Sequence, residues 1–376
     1  MKIVFIFSHL PDPRLNKRIN LLKNNHEVHL VYWNRKTVQI WDNNNKDVEN
    51  HEIIIRAFYS NPLKRIIPTI KFSRRAFSII KKIKPDLIYA FNLDMLRIAY
   101  NYHRISKDCK IIYEVADLNS IIIDTQTNIL KKIIQKLLIR TEKKMTQVIK
   151  SLVITSEKFF DEYYIKFLEK DKVIFIPNIP ETRHLQNYRK KSGKVFTIGF
   201  IGAIRYVDQM KMLINFADHN DVKVIFAGTG LTDEVYELAK KNKNVEYYGK
   251  YNYEKEIAAL YSKIDCVYAV YNADLTNVRI ALPNKLYEAI YCELPLIVAK
   301  GTYLAELVEK WNVGISVNHN DKHDLEKGIM KLMNDYTFYS GIVESCKSIK
   351  HIIDNNYYNS KLLAVVYEIE RNKMVR

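Results

Sequence analysis

Cysteine is scarce and scattered in this chain: Cys109, Cys266, Cys292 and Cys346 form no CxxC pair and no metal-ligand spacing. That excludes a disulfide framework and points to buried free thiols in a reducing cytosol. No apolar run approaches the ~18 residues of a membrane span. The apolar start, Met1-Lys-Ile-Val-Phe-Ile-Phe7, is short and polar residues follow at once, so it reads as a first strand and not as a signal peptide. No repeat of fixed short period and no low-complexity tract occurs. The expected location is cytoplasmic, or peripheral on the inner face of the cytoplasmic membrane. Acid is also missing locally. Residues 62–84 hold eight basic residues and no acid, and Glu142 is the only acid of residues 129–150.

What is present suggests two domains: 376 residues, of which 48% are hydrophobic, enough for two real cores. The charge is uneven. Residues 1–185 hold 33 Lys+Arg against 19 Asp+Glu, and residues 186–376 hold 26 against 23. The basic excess thus belongs to the first half and argues for a polyanionic or membrane partner there.

Strands and helices alternate along the whole chain. Lys2–Phe7, a loop Ser8–Arg14, a helix from about Leu15 to Asn24 and His26–Tyr32 make a βαβ unit. Further strands are expected at Ile53–Phe58, Asp86–Phe91, Lys110–Ala116, Ser151–Ser156 and Lys172–Asn178. Ligands gather at the carboxyl ends of strands in such sheets, which draws attention to Asp12, Arg14, Arg18, Asp94 and Asp117. Arg14 and Arg18 read equally well as solvated charges at a helix start. The stretches 62–84 and 129–150 are basic and amphipathic. Ile129, Ile133, Leu137 and Leu138 lie on one side of the second, with Lys131, Lys132, Lys136, Arg140, Lys143, Lys144 and Lys150 elsewhere. Such helices lie on an anionic bilayer, or else their apolar faces cover the sheet and the lysines are solvated.

Glu181–Lys194 is polar and aperiodic and reads as a linker. A second run follows: Val195–Gly202, Val222–Gly230, Asn244–Gly249, Asp265–Val270, Leu296–Ala299 and Gly314–Val317, with helices between and after. Gly202 permits a tight turn or a close backbone approach to a ligand. Arg205 and Lys211 place two cations around that turn. In Ala281–Ala299, Pro283 suits a helix start, Leu286, Ala289, Ile290 and Leu294 form a buried face, and Pro295 stops the helix. Its opening N–H groups and Lys285 make an anion site, with the Glu288 carboxylate one turn deeper for two neighbouring hydroxyls. A nucleotide presents that pair, a phosphate and a diol. A plain strand–helix unit with a Lys and a Glu is the other reading. The fold class is α/β, two doubly wound parallel-sheet domains with a cleft between them.

Four pieces, in this order and spacing, resemble the GT-B glycosyltransferases, and within them the Pro-Asn-Lys branch of the large retaining family 4. They are Gly199-Phe-Ile-Gly-Ala-Ile-Arg205 with Lys211, Phe226-Ala-Gly-Thr-Gly230, Val245-Glu-Tyr-Tyr-Gly249 with Lys250-Tyr251, and Leu282–Val298. The resemblance implies two Rossmann-like domains: residues 1–184 on the acceptor and membrane side, with a terminal helix within 360–376 crossing back, and residues 185–359 holding a nucleotide-sugar. It implies a donor set of Gly202, Arg205, Lys211, Gly228, Tyr251, Asn284, Lys285, Leu286 and Glu288. Arg205 and Lys211 would meet the diphosphate, Asn284 and Lys285 a phosphate, Glu288 the ribose hydroxyls and Tyr251 the base. The catalytic set is Asp117, Arg205, Lys211 and Glu288, with no metal and no cofactor. The chain departs from the family's pattern at Ile280, where a first glutamate usually stands, at Ala116 before Asp117, and at Asp12-Pro-Arg14 in place of a glycine pair.

The expected function is retaining transfer of a sugar, most readily from a UDP-sugar, to a lipid-linked glycan for capsule, O-antigen or a related surface polysaccharide. The alternatives are a UDP-sugar 2-epimerase of the same fold and a non-enzymatic polyanion or nucleic-acid binder. The charge asymmetry argues against the epimerase, and the phosphate loops of the second half argue against the binder.

Overall fold

The computed structural model describes every residue except 37–44, 58–61, 126–127, 192 and 375–376. The chain divides into two compact units, Met1–Ile176 with Asn356–Arg376, and Pro177–Asn355.

The first unit is built on seven strands: β1 (Lys2–Phe7), β2 (Glu27–Asn34), β3 (Glu49–Ile54), β4 (Leu87–Phe91), β5 (Lys110–Val115), β6 (Ser151–Ile154) and β7 (Val173–Phe175). They pair in parallel in the order β3-β2-β1-β4-β5-β6-β7. β1 and β4 are fully apolar or aromatic along their buried length, as strands covered on both faces are. β3 is the exception. The apolar run Ile53–Phe58 suggests a strand, whereas the strand observed is the polar Glu49–Ile54. An edge strand needs no apolar partner on its open side, so polar residues can form it. Phe58 lies outside the described residues. Leu362, Val366 and Ile369 of the terminal helix Asn355–Met374 join the core formed by Ile3, Phe5 and Tyr89. That helix is longer than the expected Leu362–Arg371 because its polar flanks continue the backbone ladder.

The two basic stretches are the helices Pro62–Ile83 and Ile129–Thr146. Phe72, Ala76 and Ile80 of the first are sealed in the core, and Phe72 stacks on Trp33 at 5.0 Å between ring centres. The early part of that helix is different, with Ile66, Ile67 and Ile70 exposed. In the second helix Ile129, Leu130, Ile133, Ile134 and Leu137 are all exposed, Ile129 by 76%. The reading in which the apolar face covers the sheet therefore fails over most of this helix. Its acid, Glu142, is instead buried and accepts hydrogen bonds from the hydroxyls of Tyr113 (2.9 Å), Tyr163 (2.8 Å) and Tyr164 (2.8 Å). No helix among the described residues is long and apolar enough to cross a membrane. The four cysteines are buried and unpaired.

The second unit carries β8 (Phe196–Ile201), β9 (Val222–Ala227), β10 (Val245–Gly249), β11 (Cys266–Ala269), β12 (Leu296–Ala299) and β13 (Gly314–Val317). All pair in parallel, in the order β10-β9-β8-β11-β12-β13. The segment Glu181–Lys194 belongs to this unit and is not a free linker. Leu185 is fully buried, and the Lys191 ammonium lies 2.8 Å from Asp265 and donates to Thr197. One apolar side chain and one ion pair are too little to give periodicity, yet they dock the segment. Each unit is a Rossmann-like parallel sheet with helices, and the order reverses between β1 and β4 and between β8 and β11. Ligands of such sheets collect at those reversals, beyond the strand ends.

Candidate functional site

At the reversal of the second sheet, β8 is followed by Gly202 and β9 by Gly228. Both have positive φ, +138° and +145°. The Gly202 N–H donates to the Ala227 carbonyl at 2.7 Å, and the Gly228 N–H to the Gly249 carbonyl at 2.8 Å. A Cβ at Gly228 would stand 1.8 Å from the Gly202 carbonyl oxygen, so two turns pack backbone to backbone.

Lys285 reaches into this floor. A Cβ at Gly202 would lie 2.6 Å from its Nζ. The side chain is only 8% exposed, and its ammonium sits over the rings of Phe200 (5.0 Å) and Tyr271 (5.6 Å). Among the described residues no carboxylate lies within ion-pair distance of it. A nearly buried cation with aromatic rings and no anion is an unbalanced charge, and an anionic ligand would balance it.

Lys285 opens the helix Lys285–Tyr291, with Asn284 as its N-cap. The expected row of free N–H groups is partly used: Leu286 N–H donates to the Pro283 carbonyl at 3.3 Å and Tyr287 N–H to that of Asn284 at 3.0 Å. Asn284 turns its side chain inward, donating to Glu288 Oε1 at 2.8 Å. The Leu286 side chain is completely buried, on the face expected to be so, which leaves its backbone for a ligand role.

Glu288 is 2% exposed, and its two hydroxyl partners are already protein groups. Tyr253 donates to Oε1 at 2.6 Å and Tyr261 to Oε2 at 2.6 Å. A carboxylate has about four lone-pair positions, so with Asn284 three are occupied and one remains, on Oε2. The sequence reading missed both tyrosines. Their signal was weak: they begin and end one helix, Tyr253–Tyr261, two turns apart. Tyr251 lies nearby. Burial first, then the Glu288 charge, raise its hydroxyl above the ordinary range.

The two remaining cations differ. Arg205 is exposed in the loop after β8. Lys211, in the helix Val207–His219, is held in an ion pair by Glu234. To meet a phosphate it would have to leave that carboxylate, which sequence spacing did not reveal.

In the first unit, Asp117 is exposed just beyond β5. The buried acid at that strand end is Glu114. Arg18 Nε donates to it at 3.0 Å, the Tyr89 hydroxyl also donates, and Arg14 Nε lies 3.6 Å away. Arg14 Nε and Glu114 Oε1 are buried and have no hydrogen-bond partner among the described residues. Asp12 caps the helix Pro13–Leu22 by accepting from the Leu15 N–H at 2.8 Å. Arg14 and Arg18 are therefore not solvated, while Asp12 is a cap.

Residues 181–351 match the family model described as glycosyl transferases group 1. No curated protein matches the chain. Among solved structures, that of Anabaena Alr3699/HepE in complex with UDP-glucose is similar at 15% identity and a TM-score of 0.72, covering 98% of this chain and 100% of that one. WaaG, a glycosyltransferase involved in lipopolysaccharide biosynthesis, is similar at 14% identity and TM-score 0.71, covering 96% and 98%. A UDP-N-acetylglucosamine 2-epimerase is similar at 11% identity and TM-score 0.58, covering 92% and 90%. At these identities the likeness speaks for the fold, and the matched model speaks for the activity class. Residues 181–351 are a glycosyl transferases group 1 domain, and the chain that carries it is a glycosyltransferase of GT-B fold.

Proposed function

We propose that the chain is a retaining glycosyltransferase of the Pro-Asn-Lys branch of family 4, moving a sugar from a UDP-sugar to a lipid-linked glycan at an anionic membrane surface. The observation that carries the donor reading is Lys285, a nearly buried cation with no carboxylate partner among the described residues, aimed at the turn after β8. Loss of a nucleoside diphosphate builds negative charge on its outer phosphate. Lys285 and Arg205 would stabilise that charge as it forms, and the phosphate itself would take the acceptor's proton. Glu288, oriented by Tyr253 and Tyr261, would hold a ribose hydroxyl with its remaining lone pair, and Tyr251 would lie against the base. Lys211 would join after exchanging Glu234 for phosphate, and Asp117 would face the acceptor. The reaction in this form requires no metal and no cofactor. The UDP-glucose and lipopolysaccharide contexts of HepE and WaaG support a UDP-sugar and a surface polysaccharide, of capsule or O-antigen type.

The membrane reading rests on the two basic helices. Each shows exposed isoleucines among lysines and arginines, and both pack against the same helix, Asn92–Ile105. Apolar residues would insert while the cations meet headgroups, each adding ~1 kcal/mol.

The test is thermal unfolding against UDP, GDP, ADP and CDP, followed by turnover with sugar derivatives of the one that binds. A nucleotide at ~100 times its Kd adds ~2.7 kcal/mol. A shift with UDP that disappears in Lys285→Ala supports the donor site; an equal shift in both proteins would refute it. Epimerase activity is the second reading, favoured by the structural likeness to a UDP-N-acetylglucosamine 2-epimerase. It would change a UDP-sugar with no acceptor present, so product analysis without acceptor separates the two.

A further inference from the structure

Two short motifs take no part in the donor chemistry: Glu27-Val-His29 on β2 and Glu49-Asn-His51 on β3. The parallel register sets His29 opposite Glu49 and Val31 opposite His51. Side chains alternate along a strand, so Glu27, His29, Glu49 and His51 share one face. His29 is buried, with 5% of its side chain exposed, and its Nε2 lies 3.0 Å from Glu27 Oε1. A carboxylate accepts, so Nε2 carries the proton and Nδ1 carries a lone pair. That lone pair faces His51 Nε2 at 3.2 Å and Glu49 Oε2 at 3.3 Å. His51 Nε2 is in turn 3.4 Å from Glu49 Oε1. One ligand atom from each of the three residues lies within 4.8 Å of the others.

These spacings fit a metal. Ligands held tetrahedrally at ~2.0–2.1 Å from zinc stand ~3.3 Å from one another. His29 Nδ1 and His51 Nε2 stand at that separation, and each is as close to one oxygen of Glu49, His29 to Oε2 and His51 to Oε1. Glu27 takes the outer role that a carboxylate has behind a ligating histidine, fixing its tautomer and ring orientation. Glu49 is 63% exposed, so the fourth position opens to water. Glu49 would offset part of a divalent charge, while Glu27 already faces the Lys2 ammonium at 3.2 Å.

We propose that His29, His51 and Glu49 form a site for a divalent first-row cation that favours imidazole, Zn²⁺ foremost, with Glu27 as its positioning residue. β3 is the edge strand of its sheet. A cation shared by β2 and β3 pins that edge. The role is structural and does not depend on the glycosyltransferase reaction.

The experiment uses full-length protein stripped with a chelator. Zn²⁺ is titrated against a chromophoric competitor, and Co²⁺ is added separately to read coordination from its visible absorption. About one Zn²⁺ per chain is expected, with a rise in melting temperature. His51→Gln abolishes saturable binding, while Glu27→Gln, which removes no ligand, weakens it by roughly 10- to 100-fold. His351→Gln, a surface control, binds as the parent does. Melting of each variant in chelator separates lost metal from lost fold. If His51→Gln does not fold, the exposed Glu49→Gln is read in its place. Binding that is absent in the parent, or unchanged in the variant read, overturns the proposal. Lys285→Ala keeps its zinc, so failure here is distinct from failure of the donor site.

Discussion

Lys285, Gly228 and Tyr261 do three different things at the end of one sheet, and each can be tested alone. Lys285→Ala removes the cation aimed at the leaving phosphate. Turnover should fall by roughly 100- to 1,000-fold, with the melting temperature of the free protein held or raised, since among the described residues the lost charge had no carboxylate partner. Steady-state rates beside a melting curve decide it. Gly228→Ala is a backbone test. With φ at +145° and a Cβ 1.8 Å from the Gly202 oxygen, one turn must move. A loss above ~2 kcal/mol is expected by urea titration. Tyr261→Phe leaves Glu288 Oε2 buried and short of a donor, and should cost ~1–3 kcal/mol and weaken nucleotide binding. The sequence made Lys285 and Glu288 visible because both stand in a short contiguous motif. The tyrosines that hold Glu288 are 35 and 27 residues away along the chain, and only the fold joins them.

Among the elements, the two basic helices show what periodicity leaves undecided. A 3.6-residue repeat shows that a helix has an apolar face, and says nothing about what covers it. Phe72, Ala76 and Ile80 meet the sheet, whereas Ile129, Ile133 and Leu137 meet solvent. Replacing Ile133 and Leu137 with Asp should leave the fold intact and reduce sedimentation with vesicles rich in phosphatidylglycerol. Glu in place of Lys131, Lys132 and Lys136 should do the same and should lessen the salt dependence. If neither set of changes alters sedimentation, this helix is not the docking face. Strand β3 teaches the related lesson for sheets. An edge strand has weak composition rules, so Glu49–Ile54 was hidden behind the more apolar residues that follow it.

For the molecule as a whole, the first unit carries histidines that resist protonation. Burial pulls His9 below 6.5, with Asp12 opposing, and burial with the terminal amine pulls His26 down. Well above pH 6.5, from about pH 7.5 upward, both states are neutral at these sites and stability does not depend on them. As the pH falls through 6.5 the unfolded chain binds protons that the folded chain refuses, so stability falls with pH until the lowered folded values are reached. Urea midpoints should therefore drop between about pH 7.5 and about pH 5.5. His9→Gln with His26→Gln should shrink that drop; an unchanged pH slope in the double variant would count against it.

The sequence alone determined the alternation of strand and helix, the parallel-sheet class, the glycine turns after β8 and β9, and the basic bias of the first half. Those follow from local rules: residue spacing, backbone freedom and charge counts act within a few residues of one another. Tertiary structure decided which chemistry-bearing groups meet. Strand order brings Arg14 and Arg18 to Glu114, register brings His29 to Glu49 and His51, and helix packing gives Glu288 its tyrosines and Lys211 its Glu234. Such meetings depend on neighbours in space, because short-range electrostatics and hydrogen bonds fall off within a few ångströms whatever the separation along the chain.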